Sequence, residues 1–338
     1  MKNKSKLLIC AAVIVAILAI SAIAVKSFFF ARYKGEPVRV EIPDFSDKVA
    51  VDSIIKSTLP GSYGSKVARI WSALNGDPLR SRGSYLIQPG DEAIRVAKRI
   101  AEARQTPIRF TFNNLRRFED LAGRAGRMFE FDSIAFCQAA DSVLGAQGFS
   151  PENYSAAVLP DTYEFYWTAP VDVMLDKLLT HRKKFWNDER RKKAEKLGLT
   201  PEQVHTLASI VEEESNKSDE RPVIARLYLN RLEKNMFLQA DPTVKFALGD
   251  FTAKRVTHQM TLSDSPYNTY KSRGLPPGPI RIVEANTLDA VLNAPENNYL
   301  YMCAKPDFSG YHNFTNDYRR HTINAALYHR ALNNRGIK

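Results

Sequence analysis

Nineteen consecutive residues without a charge, Leu7 to Val25 (LLICAAVIVAILAISAIAV), stand near the start of this 338-residue chain. A helix of that length covers about 30 Å, the thickness of a bilayer's hydrocarbon core. The run is therefore expected to leave water as a single N-terminal transmembrane helix, over 7–25. Lys2, Lys4 and Lys6 precede it; Lys26 and Arg32 follow, with Phe28 to Phe30 as an interfacial anchor. Lysines in front place segment 1–6 in the cytoplasm and everything after about residue 33 on the far side. A cleaved signal peptide is the rival reading. Ala22 and Ala24 offer it a cleavage site, but its apolar region is usually shorter than this one.

The chain as a whole has a globular make-up, 44% hydrophobic and 25% charged. Its formal charge of +11 is compatible with nucleic acid, an anionic membrane or an acidic polymer. No nucleic-acid motif accompanies the charge, and an anchored, exported chain argues against that partner. Of the three cysteines, Cys10 lies in the apolar run. Cys137 and Cys303 could form one disulfide; two buried free thiols are the favoured reading. The six histidines include no HExxH and no i, i+4 pair, and no phosphate or dinucleotide fingerprint occurs. No metal and no cofactor are expected.

Periodicity and turn residues predict an α+β chain in three parts beyond a short linker. Over 37–112, Val38–Ile42 alternates as a strand, and Ser46 caps a helix through Ser57. Pro60–Ser65 reads as a turn, Lys66–Leu74 as an amphipathic helix and Ser84–Ile87 as a strand, which makes a compact βααβ pattern. A helix over Ala93–Ala103 and a strand over Pro107–Phe112 follow. Two helical stretches, 114–125 and 131–143, form a connecting region over 113–150. The third part, 151–338, is helix-rich with a small β-hairpin. It begins with the aromatic, turn-rich LPDTYEFYW and a long helix, Val171–Lys196, whose charge-dense end reads as a solvated face. Helices Pro201–Ser215 and Asp219–Lys234 follow, the first capped by Thr200 with Pro201 and Gln203 behind it. A short helix in QADPTVKFALG comes next, then loops stiffened by proline, SPYNTY and GLPPGPI. YLYMCA and GYHNF read as the hairpin, and a last helix runs from Asp317 to Leu332.

The chemistry concentrates in LASIVEEES, Leu207 to Ser215. On a helical wheel the apolar stripe of Val204, Leu207, Ala208, Ile210 and Val211 is centred near about 20°. Glu213 falls at about 240°, facing solvent, Glu212 at about 140°, on the margin, and Glu214 at about 340°, inside the stripe. Burial and the C-terminal end of a helix dipole both raise a carboxyl pKa. A carboxyl that holds its proton near neutrality can serve as a general acid. The plainer alternative is an ion pair between Glu214 and Arg226 or Arg231 of the next helix.

LASIVEEES, Asn230–Leu232 (NRL), LQADPTVKFALG, PYNTY, GLPPGPI and His312–Phe314 (HNF) occur in this order, with GSYLI and LPDTYEFY upstream. In these motifs the chain resembles the endolytic murein transglycosylases of the YceG-like family. The resemblance implies a LysM-like glycan-binding region over the βααβ pattern and a catalytic domain outside the membrane. It implies cleavage within peptidoglycan glycan strands, linked to ending strand synthesis and hence to peptidoglycan synthases as partners. It places the catalytic carboxylate at Glu214 and sets Gln239, Asp241, Thr243, Tyr267, Asn268 and Tyr270 around it, with His312 and His321 as further candidates. Glu214 would protonate the MurNAc–GlcNAc bond, then deprotonate the MurNAc 6-hydroxyl, which closes on C1 as a 1,6-anhydro end. The plainer readings are structural: Asp241-Pro242 as a turn, Asn268 as a backbone cap, the histidines in buried polar networks. Two alternatives stay open, a lysozyme-type hydrolase using Glu214 and Asp241, and a non-catalytic glycan-binding envelope scaffold.

Overall fold

The computed structural model describes residues 2–253 and 255–336. Met1, at the head of the expected cytoplasmic segment, and Ile337 and Lys338, at the end of the expected catalytic part, lie outside the described residues, as does Lys254. The chain divides into two compact units. One holds the residues up to Phe110 with Met128–Glu130 and Glu164–Ala169; the other holds Thr111–Arg127, Phe131–Tyr163 and the residues from Pro170 onward.

In the first unit α1 (Lys2–Phe29) is one unbroken helix. Its stretch Leu8–Phe29 has a mean hydropathy of 3.1 and no buried residue, so it is long and apolar enough to cross a membrane. Then come β1 (Val38–Ile42), α2 (Lys48–Thr58), α3 (Gly61–Ala73), α4 (Pro78–Ser81), β2 (Gly83–Ile87) and α5 (Ala93–Ala101). β1 and β2 pair antiparallel, Val38 opposite Ile87 and Ile42 opposite Gly83, so the βααβ order is as read. Two details differ. The cap of α2 is Asp47, not Ser46: its carboxylate accepts from the Ala50 N–H at 2.7 Å. The expected turn at Pro60–Ser65 is largely the first turn of α3, because Tyr63 and Gly64 are drawn into the core beside Leu59. Ile42, Ile55, Trp71, Tyr85, Ile87 and Ile100 fill that core.

β3 (Ile108–Phe112) precedes α6 (Phe118–Gly126) and α7 (Ser133–Val143), and β4 (Asp161–Phe165) pairs with β3 in a second sheet. The stretch read as turns is thus a strand. Its aromatic residues alternate, with Tyr163 and Phe165 buried and Asp161, Thr162 and Glu164 exposed, and Tyr163 stacks on Phe112 at 5.7 Å. The long helix expected over Val171–Lys196 is two, α8 (Val171–Phe185) and α9 (Asp188–Lys196). Trp186 is buried between them and Asn187 caps α9 by accepting from the Arg190 N–H.

The second unit is organised around α10 (Pro201–Glu214). Thr200 and Gln203 form its capping box, and Val204, Leu207, Ala208, Ile210 and Val211 are all fully buried. α11 (Arg221–Glu233), α12 (Asp241–Leu248) and α13 (Ala285–Leu292) follow; α13 was not anticipated. β5 (Tyr301–Ala304) and β6 (His312–Thr315) form the expected hairpin, with Tyr301 opposite Thr315, and α14 (Tyr318–Asn334) begins from its cap Asp317. The segment GLPPGPI braces α10: the Ile280 N–H donates to the Ser209 hydroxyl at 2.9 Å. Gly278 lies so near the Glu152 carbonyl that an added Cβ would stand 1.9 Å from that oxygen. Gly278→Ala should therefore cost about 1–3 kcal/mol, and a thermal melt of the full chain in detergent should show the midpoint fall by several degrees.

Candidate active site

The three glutamates at the end of α10 take three different environments. Glu212 is 3% exposed; one carboxylate oxygen pairs with the Arg281 Nε at 3.0 Å, and the other accepts from the Thr287 hydroxyl at 2.5 Å and the Glu284 N–H at 3.2 Å. Glu213, expected to face solvent, does not: Arg281 reaches it at 2.6 Å and Arg116 at 2.7 Å. Those arginines are distant in sequence, so a wheel of one helix could not foresee them. Glu214 is the one left without a cation: among the described residues no ion pair reaches it. Arg226 instead pairs with Glu233 and Glu296. Arg231 donates to the carbonyls of Leu300 at 2.6 Å, Leu238 at 2.7 Å and Phe237 at 3.2 Å.

Glu214 meets a cavity of about 540 Å3 on one side and protein on the others. Its Oε1 accepts from the hydroxyl of the buried Tyr228 at 2.7 Å. Burial pushes its pKa up to about 7. The Tyr228 hydrogen bond opposes that rise, nearby Asp241 adds to it, Arg231 offsets part and Glu213 adds a little.

Gln239, Asp241, Tyr270, His312 and His321 line the same cavity, so the structure brings these candidates together around Glu214. Gln239 stands at its rim with φ +50°, its N–H donating to the Thr269 carbonyl. Asp241, the first residue of α12, accepts from the Tyr270 hydroxyl at 2.5 Å; burial, then Asp241, raises the Tyr270 pKa. His312 is held by Glu220, and His321 stacks on Tyr301 at 5.2 Å. Burial, then Arg231, lowers the His321 pKa.

Three candidates stand elsewhere. Asn268 is fully buried; its amide donates to the carbonyls of Thr261 and Ser263 and its oxygen accepts from the Tyr270 N–H, so it staples the loop that carries Tyr270. Thr243 is also fully buried, bonded to the Ala240 carbonyl and the Thr269 hydroxyl. Tyr267 lines a separate depression of about 380 Å3 with Phe246 and Arg117. Sequence reasoning missed Tyr228 and the aromatic wall of Tyr301, Tyr318 and Tyr328; it named Arg231, which shares one face of α11 with Tyr228, only as an ion-pair partner for Glu214. The i, i+3 spacing to Arg231 was the available signal for Tyr228. Cys303, a free thiol, also lines the cavity.

A model described as the YceG-like family matches residues 43–326. A protein of Bacillus subtilis named endolytic murein transglycosylase is 45% identical over 100 residues, 30% of this chain and 28% of that protein. One of the same name from Streptococcus pneumoniae is 29% identical over 156 residues, 44% of this chain and 27% of that protein. The matched stretches thus span less than a third of those relatives. The crystal structure of a YceG-like protein from Listeria monocytogenes superposes with a TM-score of 0.57 at 24% identity, covering 85% of this chain and 98% of that one. That likeness bears on the fold.

A carboxyl whose folded pKa lies above its unfolded value loses stabilising protonation as pH rises. The loss begins near the unfolded pKa, ordinarily about 4.3, and is complete above about 7. Glu214→Gln removes that loss. Its melting midpoint should exceed the parent's by several degrees at about pH 8 and converge with it near about pH 4.5.

Proposed function

The chain belongs to the YceG-like family, and from that premise we propose that it is a membrane-anchored endolytic lytic transglycosylase of peptidoglycan. The observation that carries the reading is Glu214: a carboxyl that no ion pair reaches among the described residues, half-buried against a cavity and able to hold a proton near neutrality. Glu212 and Glu213 are each taken up by arginine.

The Tyr228 hydroxyl fixes Oε1 as an acceptor, so the acidic proton sits on Oε2. Glu214 gives that proton to the glycosidic oxygen between MurNAc and GlcNAc as the bond to C1 breaks. The carboxylate so formed takes the proton of the MurNAc 6-hydroxyl as O6 bonds to C1. Atoms balance without water, and the carboxyl is regenerated. Gln239, Asp241 and His312 would hold the sugars by hydrogen bonds, and Tyr301, Tyr318 and Tyr328 offer ring faces for stacking. Tyr267 and Asn268 support no direct contact from where they lie.

α1 and the lysines around it support a single-pass anchor with a cytoplasmic N-terminus and the catalytic part beyond the cell membrane. In that scheme 37–112 is a LysM-like glycan-binding region, 113–150 connects and 151–338 cleaves. Nascent glycan strands would be the substrate and peptidoglycan synthases the neighbours, with cleavage ending strand growth.

Digestion of purified glycan by the full chain in detergent should yield 1,6-anhydro ends by mass spectrometry. Reducing ends instead would favour the hydrolase with Asp241 as second carboxylate, and no cleavage the scaffold. Glu214→Gln should lose about 10²–10⁴-fold in rate. Because the donor must be protonated, kcat/KM should be level below about pH 7 and fall about tenfold per unit above it. Tyr228→Phe removes the hydrogen bond that holds the Glu214 pKa down, so its alkaline limb should move to higher pH.

A further inference from the structure

Glu220 precedes α11 and is 7% exposed. Its carboxylate grips His312 twice: Oε1 accepts from the His312 backbone N–H at 2.8 Å, and Oε2 lies 2.9 Å from the ring Nδ1. The hydroxyl of Ser215, the residue after Glu214, also donates to Oε2, at 3.4 Å. One carboxylate thus ties the end of α10, where the acid sits, to β6, which carries His312.

An ionised carboxylate only accepts, so Nδ1 must carry a hydrogen. In the neutral imidazole Nε2 is then a bare lone pair. His312 lines the cavity with Glu214, and among the described residues Nε2 has no hydrogen-bond partner. Neither the expected sugar contacts nor the proton transfers above account for Glu220.

We propose that Glu220 is a positioning residue that locks His312 as its Nδ1–H tautomer, so that Nε2 accepts the acetamido N–H of a glycan bound beside Glu214. The inference rests on the glycan-cleaving reading of the site and specifies the group it recognises. A hydroxyl both donates and accepts, so it satisfies either tautomer. A secondary amide N–H only donates and needs a fixed lone pair. The clamp therefore secures the acetamido group in particular: in the other tautomer its N–H would face a second donor, whereas a hydroxyl at the same carbon fits either ring state.

The test uses the full chain in detergent micelles, with ring nitrogens labelled for NMR and two probes, the tetramer of N-acetylglucosamine and that of glucose. Wild type should show His312 as Nδ1–H and bind the N-acetylated tetramer. In Glu220→Gln the amide oxygen can keep the backbone N–H while its NH2 donates to Nδ1. The ring should switch to Nε2–H, and affinity for the N-acetylated tetramer should fall by about tenfold while that for the glucose tetramer stays unchanged. An Nε2–H or doubly protonated ring in wild type overturns the proposal. So does affinity for the N-acetylated tetramer that survives the switch, or an equal loss for both probes. If Glu220→Gln does not fold, the wild-type ring state with the N-acetylated tetramer bound decides alone. A wild type that makes anhydro ends while one of these outcomes holds sinks this inference only; one that makes none sinks the reading beneath it.

Discussion

Three adjacent carboxylates crowd the C-terminal end of a buried helix. The helix dipole opposes negative charge there, and burial opposes it more. Arg281 sits between Glu212 and Glu213 and serves both, with Arg116 completing Glu213 and Thr287 completing Glu212. Much of the second unit follows from that need. Arg281 ends the proline-stiffened segment that braces α10, and Thr287 brings α13 against it. Among the described residues the third carboxyl has no ion pair, the nearby cation, Arg231, being committed to backbone carbonyls of the loop before α12 and of the approach to β5. It supplies a field at Glu214 and no bond.

Much of this is legible in the sequence. The capping box of α10, the βααβ order, the hairpin and the inward turn of Glu214 are local consequences of spacing and cap chemistry, and local rules reached them. The misses are non-local. Glu213 has a solvent-facing wheel position, and its partners Arg116 and Arg281 come from distant parts of the chain. LPDTYEFYW carries a strand's alternation, but its turn-forming residues outweighed it until β3 supplied a partner. One buried indole at Trp186, followed by a capping Asn187, split a helix that charge patterning had read as continuous.

The cavity residues divide along the same line. Gln239 and Asp241 are placed by their own turn and helix start, and motif order was enough to find them. Asn268 shows the limit of motif reasoning. Its side chain has three partners within its own loop, so what it contributes is the placement of Tyr270 beside Asp241. Tyr228 was hidden for another reason: it lies in a helix buried on nearly every side from Ile224 to Arg231, where a tyrosine reads as core.

The carboxyl on α10 and the walls that dry it are far apart along the chain; β5, β6 and α14 lie some ninety to a hundred and twenty residues downstream. A chain still on the ribosome, extended only as far as α12, would hold Glu214 at an open helix end, in water, where a carboxyl ionises as in a peptide. The capacity to donate a proton arrives with tertiary structure, not with the residue. A protein proposed to cut the wall of its own cell would thus emerge through the membrane unarmed and acquire its edge only on folding.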